Sequence, residues 1–401
     1  MSPEFEARIQ KAIDDGDIPG AVLLARDKSG KLNYTLALGA INPASPLTPS
    51  STFVLASMTK LLTCIAVLQL VERGLITLDS DITPHLPTLA AQPILSGFDP
   101  TTGSPILTPR TKPLLVRHLL SHSSGAGYPF LSPALTQYFS ATNKAIPLPL
   151  SPSAPKTVEA RFDYPLLFEP GTSWAYGSGI DWAGRLVEAV TGRDLEAYLE
   201  GEVFDKVGVA RGGITFHPGR HAATALARLA GMAARDAATG KLAPSEMQPD
   251  LSSDKAAFGG EGAYASLEEY MKVLHSILCD DGRLLRPETA RWLFEGLLAR
   301  DPEAKEALRE NMRHPEWVVG WVPTDTNGEY DWSAGGLLVD GDSHPHRKKG
   351  FLQWGGVFNL SWFIDRTAGV CGIFGTQIRQ PADPAVNPLF KAFEEEIYSQ
   401  L

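Results

Sequence analysis

The chain has 401 residues, 43% of them hydrophobic, with a formal net charge of −10 and a pI near 5.4. That composition supports a substantial core, in one large domain or two closely joined ones. The negative balance, with runs such as Glu394-Glu395-Glu396, argues against nucleic acid or an anionic membrane surface as the main partner, and a small neutral substrate fits better.

In chain order, Met1-Ser2-Pro3-Glu4-Phe5-Glu6 has neither the basic start nor the apolar core of a secretory signal, so a cytoplasmic protein is expected. The final Ser399-Gln400-Leu401 is one residue from the peroxisomal tripeptide and gives weak support for that compartment. Phe5 to Ile13 reads as a short amphipathic helix closed by Gly16. Ala21 to Ala25 and Leu32 to Leu38 read as a hairpin about Lys28-Ser29-Gly30-Lys31. Helical patterns follow at Lys60 to Arg73, Trp182 to Val190, Leu195 to Val203 and Leu267 to Leu278. The apolar run near Leu61 to Val71 is about half the ~20 residues a membrane span needs. Ala145 to Pro170 carries too many prolines for a helix or a central strand, and reads equally as a surface loop or a lid over the cleft. Strand-like runs return at Trp317 to Val322, Gly336 to Val339, Leu360 to Ile364 and Val370 to Phe374, with turns at Asp325 to Gly328 and Asp365 to Gly369. Asn387-Pro388 caps a last helix striped with Leu389, Phe390, Phe393 and Ile397. The economical arrangement is a mixed α/β fold of the α+β type. An antiparallel sheet from both chain ends (1–55 and 310–401), flanked by helices, holds a mainly helical insert (56–309), with the active site at their junction.

Three S-x-x-K matches occur. Ser153 and Lys156 flank Pro155, and Ser252 and Lys255 lie in a polar segment without apolar periodicity. Only Ser57-Met58-Thr59-Lys60 opens a convincing helix, where residues three apart share a face and can point a hydroxyl and an amine into one cleft. Such a nucleophile and base still need a second proton carrier and a polarising site for a carbonyl oxygen. Tyr176, set among small residues just before a helix near Asp181, is a candidate for the first. Gln353-Trp354-Gly355-Gly356-Val357 is a candidate for the second, because paired glycines weaken a strand unless something approaches its backbone closely, and a substrate is one candidate for that approach.

Taken together these segments resemble the serine hydrolases of the class C β-lactamase or penicillin-recognising fold. Gly74 to Asp81 is similar to the segment after the family's nucleophile helix, Leu119-Leu120-Ser121-His122-Ser123-Ser124-Gly125 to its LLTHTSG element, and Phe258 to Ser266 to its glycine-rich stretch. Tyr176 falls on the tyrosine of Y-x-N, and Trp354-Gly355-Gly356 falls on K-T-G. Ser178 replaces the asparagine and Trp354 the lysine, so an amide-binding side chain and a carboxylate-binding cation are both missing. The W-G-G form is similar to that of family VIII carboxylesterases and of the acyltransferases that load acyl chains onto fungal polyketides such as statins.

The resemblance implies acyl transfer. Ser57 attacks an ester carbonyl, Lys60 and Tyr176 together take its proton, and backbone N–H groups of Ser57 and Val357 hold the oxyanion. The implied partner is a small hydrophobic ester of polyketide type, with water, an alcohol or an acyl carrier completing the reaction. Trp354, Gly355, Gly356, Tyr128, Phe130, Trp174, Tyr264, Phe358 and Trp362 are candidates to line the pocket. A β-lactamase or D-amino-acid peptidase is the alternative, which Trp354 and Ser178 disfavour, and a catalytically silent binding protein is the third reading. No metal or other cofactor is expected: H-E-x-x-H, G-x-S-x-G, G-x-G-x-x-G and a phosphate loop are absent, and His122 reads as structural. Cys64, Cys279 and Cys371 read as reduced thiols, which leaves the sequons at Asn33 and Asn359 without meaning.

Overall fold

The computed structural model describes all residues except 41–44, 149–152, 248 and 325–327. Helix α1 (Pro3–Asp14) starts where Ser2 Oγ accepts from Phe5 N at 3.2 Å, with Pro3 at the first position. It leads into β1 (Gly20–Asp27) and β2 (Asn33–Gly39). Asp27 closes their hairpin, accepting from Ser29 Oγ at 2.6 Å and from Leu32 N at 3.1 Å. Five strands from the far end complete a seven-stranded antiparallel sheet: β3 (Tyr330–Trp332), β4 (Leu337–Val339), β5 (Leu352–Gly356), β6 (Leu360–Asp365) and β7 (Val370–Gly375). The order is β3-β4-β5-β6-β7-β1-β2, and the two chain ends meet where Val22 of β1 opposes Gly375 of β7.

Ala21 to Ala25 are wholly buried, so β1 has cover on both faces. Alternation along β7 shows what supplies it. Cys371 places its sulfur 3.6 Å from Met271 of the long helix Leu267–Cys279, whereas a side chain at Gly372 would press on Ile397 of the C-terminal helix Asn387–Ser399. The middle of the chain supplies a helical layer, in which Thr59–Glu72 runs beside Gly179–Thr191. A second, three-stranded sheet pairs Thr52–Val54 with Tyr264–Ser266, and the latter with Ile214–Thr215. Among the described residues, no helix is long and apolar enough to cross a membrane.

The structure corrects several expectations. Trp317 to Val322 is not a strand: a single 3-10 turn at Pro315–Trp317 gives way to irregular chain in which Gly320 has φ +108°. Val318 and Val319 bury their side chains as part of a packed loop, which has the same apolar signature as a strand. Asn387 is the first helical residue rather than the cap, because a turn from Asp383 already feeds the helix. The proline-rich segment holds one helical turn, Val158–Arg161, capped by Thr157 Oγ1. Its residues 149–152, and residues 325–327 of the turn expected at Asp325 to Gly328, lie outside the described residues.

Candidate active site

The strand Thr52–Val54 turns sharply into the helix Thr59–Glu72 through one 3-10 turn, Ala56–Met58. Ser57 therefore sits before the α-helix proper. Ala56 adopts φ +46°, a left-handed conformation that costs a residue with a Cβ about 1–3 kcal/mol. Neighbouring bonds hold the turn in place: Leu55 N to Ala263 O at 3.0 Å, Ala263 N to Thr59 Oγ1 at 3.0 Å, and Tyr270 OH to Met58 O at 2.8 Å. Lys60 is 2% exposed, and its Nζ donates to Ser57 Oγ at 3.2 Å, to Gly260 O at 2.7 Å and to Tyr128 OH at 3.3 Å. The same atom lies 4.7 Å from the centre of the Tyr176 ring.

Tyr176 lies in the loop before Gly179–Thr191. Its carbonyl accepts from Tyr128 N at 3.1 Å, and Gly177 is required because a Cβ there would overlap the Ala126 carbonyl. The phenol oxygen accepts the indole N–H of Trp354 at 2.9 Å. Thus Trp354, the residue standing where a cation was expected, points its only donor at the tyrosine. Trp317 and Trp332 join His122, Trp174 and Trp354 around the Tyr176 ring, with centroids 4.5–6.4 Å away. His122 Nδ1 accepts from Gly177 N at 3.3 Å. Burial, and secondarily Lys60, holds the His122 imidazole well below its usual range, so it is neutral.

At the paired glycines of β5 the chain's own backbone comes close. A Cβ at Gly355 would meet the carbonyls of Leu360 and Val319, and one at Gly356 would overlap the carbonyl of Leu55, two residues before Ser57. The chain itself makes the close approach. Val357, 37% exposed, follows at the tip of the turn, and neither its N–H nor that of Ser57 is taken by an acceptor among the described residues. Gly356→Ala is expected to push back the Leu55-Ala56-Ser57 backbone and reduce kcat about a hundred-fold, the scale of loss for a misplacement near 1 Å. Kinetics beside a thermal melt would check this, since a general loss of fold would lower both together.

The other pocket candidates divide. Trp174 packs against Tyr176, Trp317 and Trp332, and Phe130, half-exposed, stacks on Tyr128 at 5.1 Å. Phe358 is buried directly after Val357. Tyr264 is wholly buried, donates its hydroxyl to Asp250 O at 3.1 Å and carries Lys255 over its ring, in the small sheet. Trp362 is a core residue paired across the sheet with Trp354.

Sequence reasoning missed Asp181. Its carboxylate is 0% exposed, accepts from Tyr128 OH at 3.1 Å and Gly260 N at 2.8 Å, and is pushed up to about 7 by burial and then by Glu261, with Lys60 opposing. A buried acid in the first turn of a helix has the sequence signature of an ordinary dipole-stabilising residue. Glu196, Glu200 and His221 form a group with ligand atoms within 4.8 Å of one another. Glu196 already serves Thr215 Oγ1 and Phe216 N, with Arg220 facing it, so that group carries no assignment as a metal site.

The family model described as Beta-lactamase matches residues 5–394. Monacolin J acid methylbutanoyltransferase of Aspergillus terreus is 36% identical over 405 residues, covering 99% of this chain and 95% of that protein. Lovastatin esterase of Penicillium rubens is 36% identical over 404 residues, covering 98% of each. The LovD6 mutant of simvastatin synthase from Aspergillus terreus superposes with a TM-score of 0.88 at 38% identity, covering 99% of this chain and 94% of its own.

Proposed function

This chain belongs to the Beta-lactamase family, and from that premise we propose that it is a serine-dependent ester hydrolase or acyltransferase acting on a small hydrophobic ester of polyketide type. The observation that carries the reading is this chain's Ser57 hydroxyl held 3.2 Å from Lys60 Nζ, and it is supported by the likeness to proteins named a monacolin J acid methylbutanoyltransferase and a lovastatin esterase. Ser57 Oγ forms a bond to the acyl carbon as its proton passes to the Lys60–Tyr176 pair. The bond to the alcohol oxygen then breaks, and the departing alcohol takes the proton back. Water or a second alcohol attacks the acyl-enzyme in the same way and restores Ser57. Free N–H groups of Ser57 and Val357 suit the oxyanion, since fixed amides need no reorganisation as charge develops.

Trp354 favours an ester over a β-lactam. An indole cannot pair with the carboxylate of a penicillin, and its N–H is committed to Tyr176. A short-chain nitrophenyl ester is expected to turn over faster than a chromogenic cephalosporin, and the reverse order would point to the lactamase reading. Running the ester panel with and without an added alcohol, and weighing ester product against free acid, separates transferase from hydrolase.

A further inference from the structure

Lys60 makes three hydrogen bonds, to Ser57 Oγ, Gly260 O and Tyr128 OH. The Tyr128 hydroxyl has one proton, and it goes on to Asp181 Oδ2, while Asp181 Oδ1 takes the N–H of Gly260. Four bonds therefore form a closed circuit, from Lys60 through Tyr128 and Asp181 to Gly260 and back. Its members come from two helices and two separate loops. Gly260 has no room for a side chain, because a Cβ would collide with the Asp181 carboxylate. Nearby Glu261 is paired with Arg161 Nη1 at 2.7 Å, and Asp181 is the carboxylate that closes the circuit on Lys60.

Ser178 supplies the other half of the argument. It stands where the resemblance has the asparagine of Y-x-N, and its hydroxyl turns to Ala126 O at 3.5 Å rather than to Lys60. Asp181 lies three residues further on, about one helical turn, and reaches the lysine through Tyr128. We propose that Asp181, acting through the Tyr128 hydroxyl, is the positioning residue that holds Lys60 Nζ on Ser57. The inference rests on the serine-hydrolase reading above and deepens it.

A carboxyl pushed up to about 7 gains a proton as the pH falls through neutrality. The groups facing it are Lys60 from its helix, Tyr128, Tyr164, and Glu261 with Arg161, while His122, which Lys60 also influences, is held neutral by burial. Protonation removes the carboxylate's charge, so kcat/KM for a hydrophobic nitrophenyl ester is expected to fall below about pH 7 while KM changes little. The test measures this profile for the native chain, Asp181→Asn, Tyr128→Phe and the double variant, with Ser57→Ala alongside and a melting curve at each pH. Asp181→Asn should lose the limb near neutrality and run about a hundred-fold slower in kcat at pH 8. Tyr128→Phe, which keeps the ring packing, should lose the same limb, and the double variant should be no slower than the singles. An unaltered limb in Asp181→Asn or Tyr128→Phe, or losses that multiply in the double variant, overturns the inference. If Asp181→Asn does not fold, Tyr128→Phe decides alone. Normal turnover by Ser57→Ala would instead sink the serine-hydrolase reading itself.

Discussion

Ser57→Ala is expected to abolish ester turnover, with a loss on the order of a million-fold in kcat, about 8 kcal/mol of barrier. The oxygen removed is the one that Lys60 Nζ addresses at 3.2 Å, and the other hydroxyl on that amine, Tyr128 OH, is buried and turned to Asp181. Stability should change little, because the side chain is partly exposed and makes one side-chain hydrogen bond. A serine-reactive phosphonate should label the native chain at residue 57 and leave the variant unlabelled. Adduct formation elsewhere, or none on the native chain, would favour the silent binding-protein reading.

Tyr176→Phe is expected to cost about a hundred- to ten-thousand-fold in kcat, the range for loss of a proton carrier. The ring would remain in its aromatic surround and beside Lys60, so KM and folding should be nearly preserved. What disappears is the oxygen that receives the Trp354 N–H at 2.9 Å and that would carry the proton beside Lys60. Steady-state kinetics with a fluorescence check on the tryptophans would test this. Unchanged kcat would leave the phenol with a packing role alone.

The parts legible in the sequence were those whose signal is local. Ser57 and Lys60 stand three apart ahead of an unbroken apolar run, and β1, β2, β6 and β7 are β-rich runs bounded by turns. Gly355-Gly356 announced a close approach to the backbone, though which backbone made it depended on where Leu55 lands after folding. Asp181, Trp317 and Trp332 were illegible for the same reason: each reaches the site only through tertiary packing, and each alone looks like a helix-start acid or a core aromatic. Trp317 to Val322 misled because burial without regular pairing writes the same apolar run as a strand.

The seam between β1 and β7 also governs how the molecule is made. On the ribosome β1 is made well before its partner β7, because the whole helical middle lies between them in the chain. The helical middle can gather before the large sheet closes, and the apolar stretch Ala21 to Ala25 of β1 lacks its β7 neighbour until then. A chain that stops short of Val370 leaves that stretch without β7, which makes premature termination a route to aggregation rather than to a smaller working enzyme.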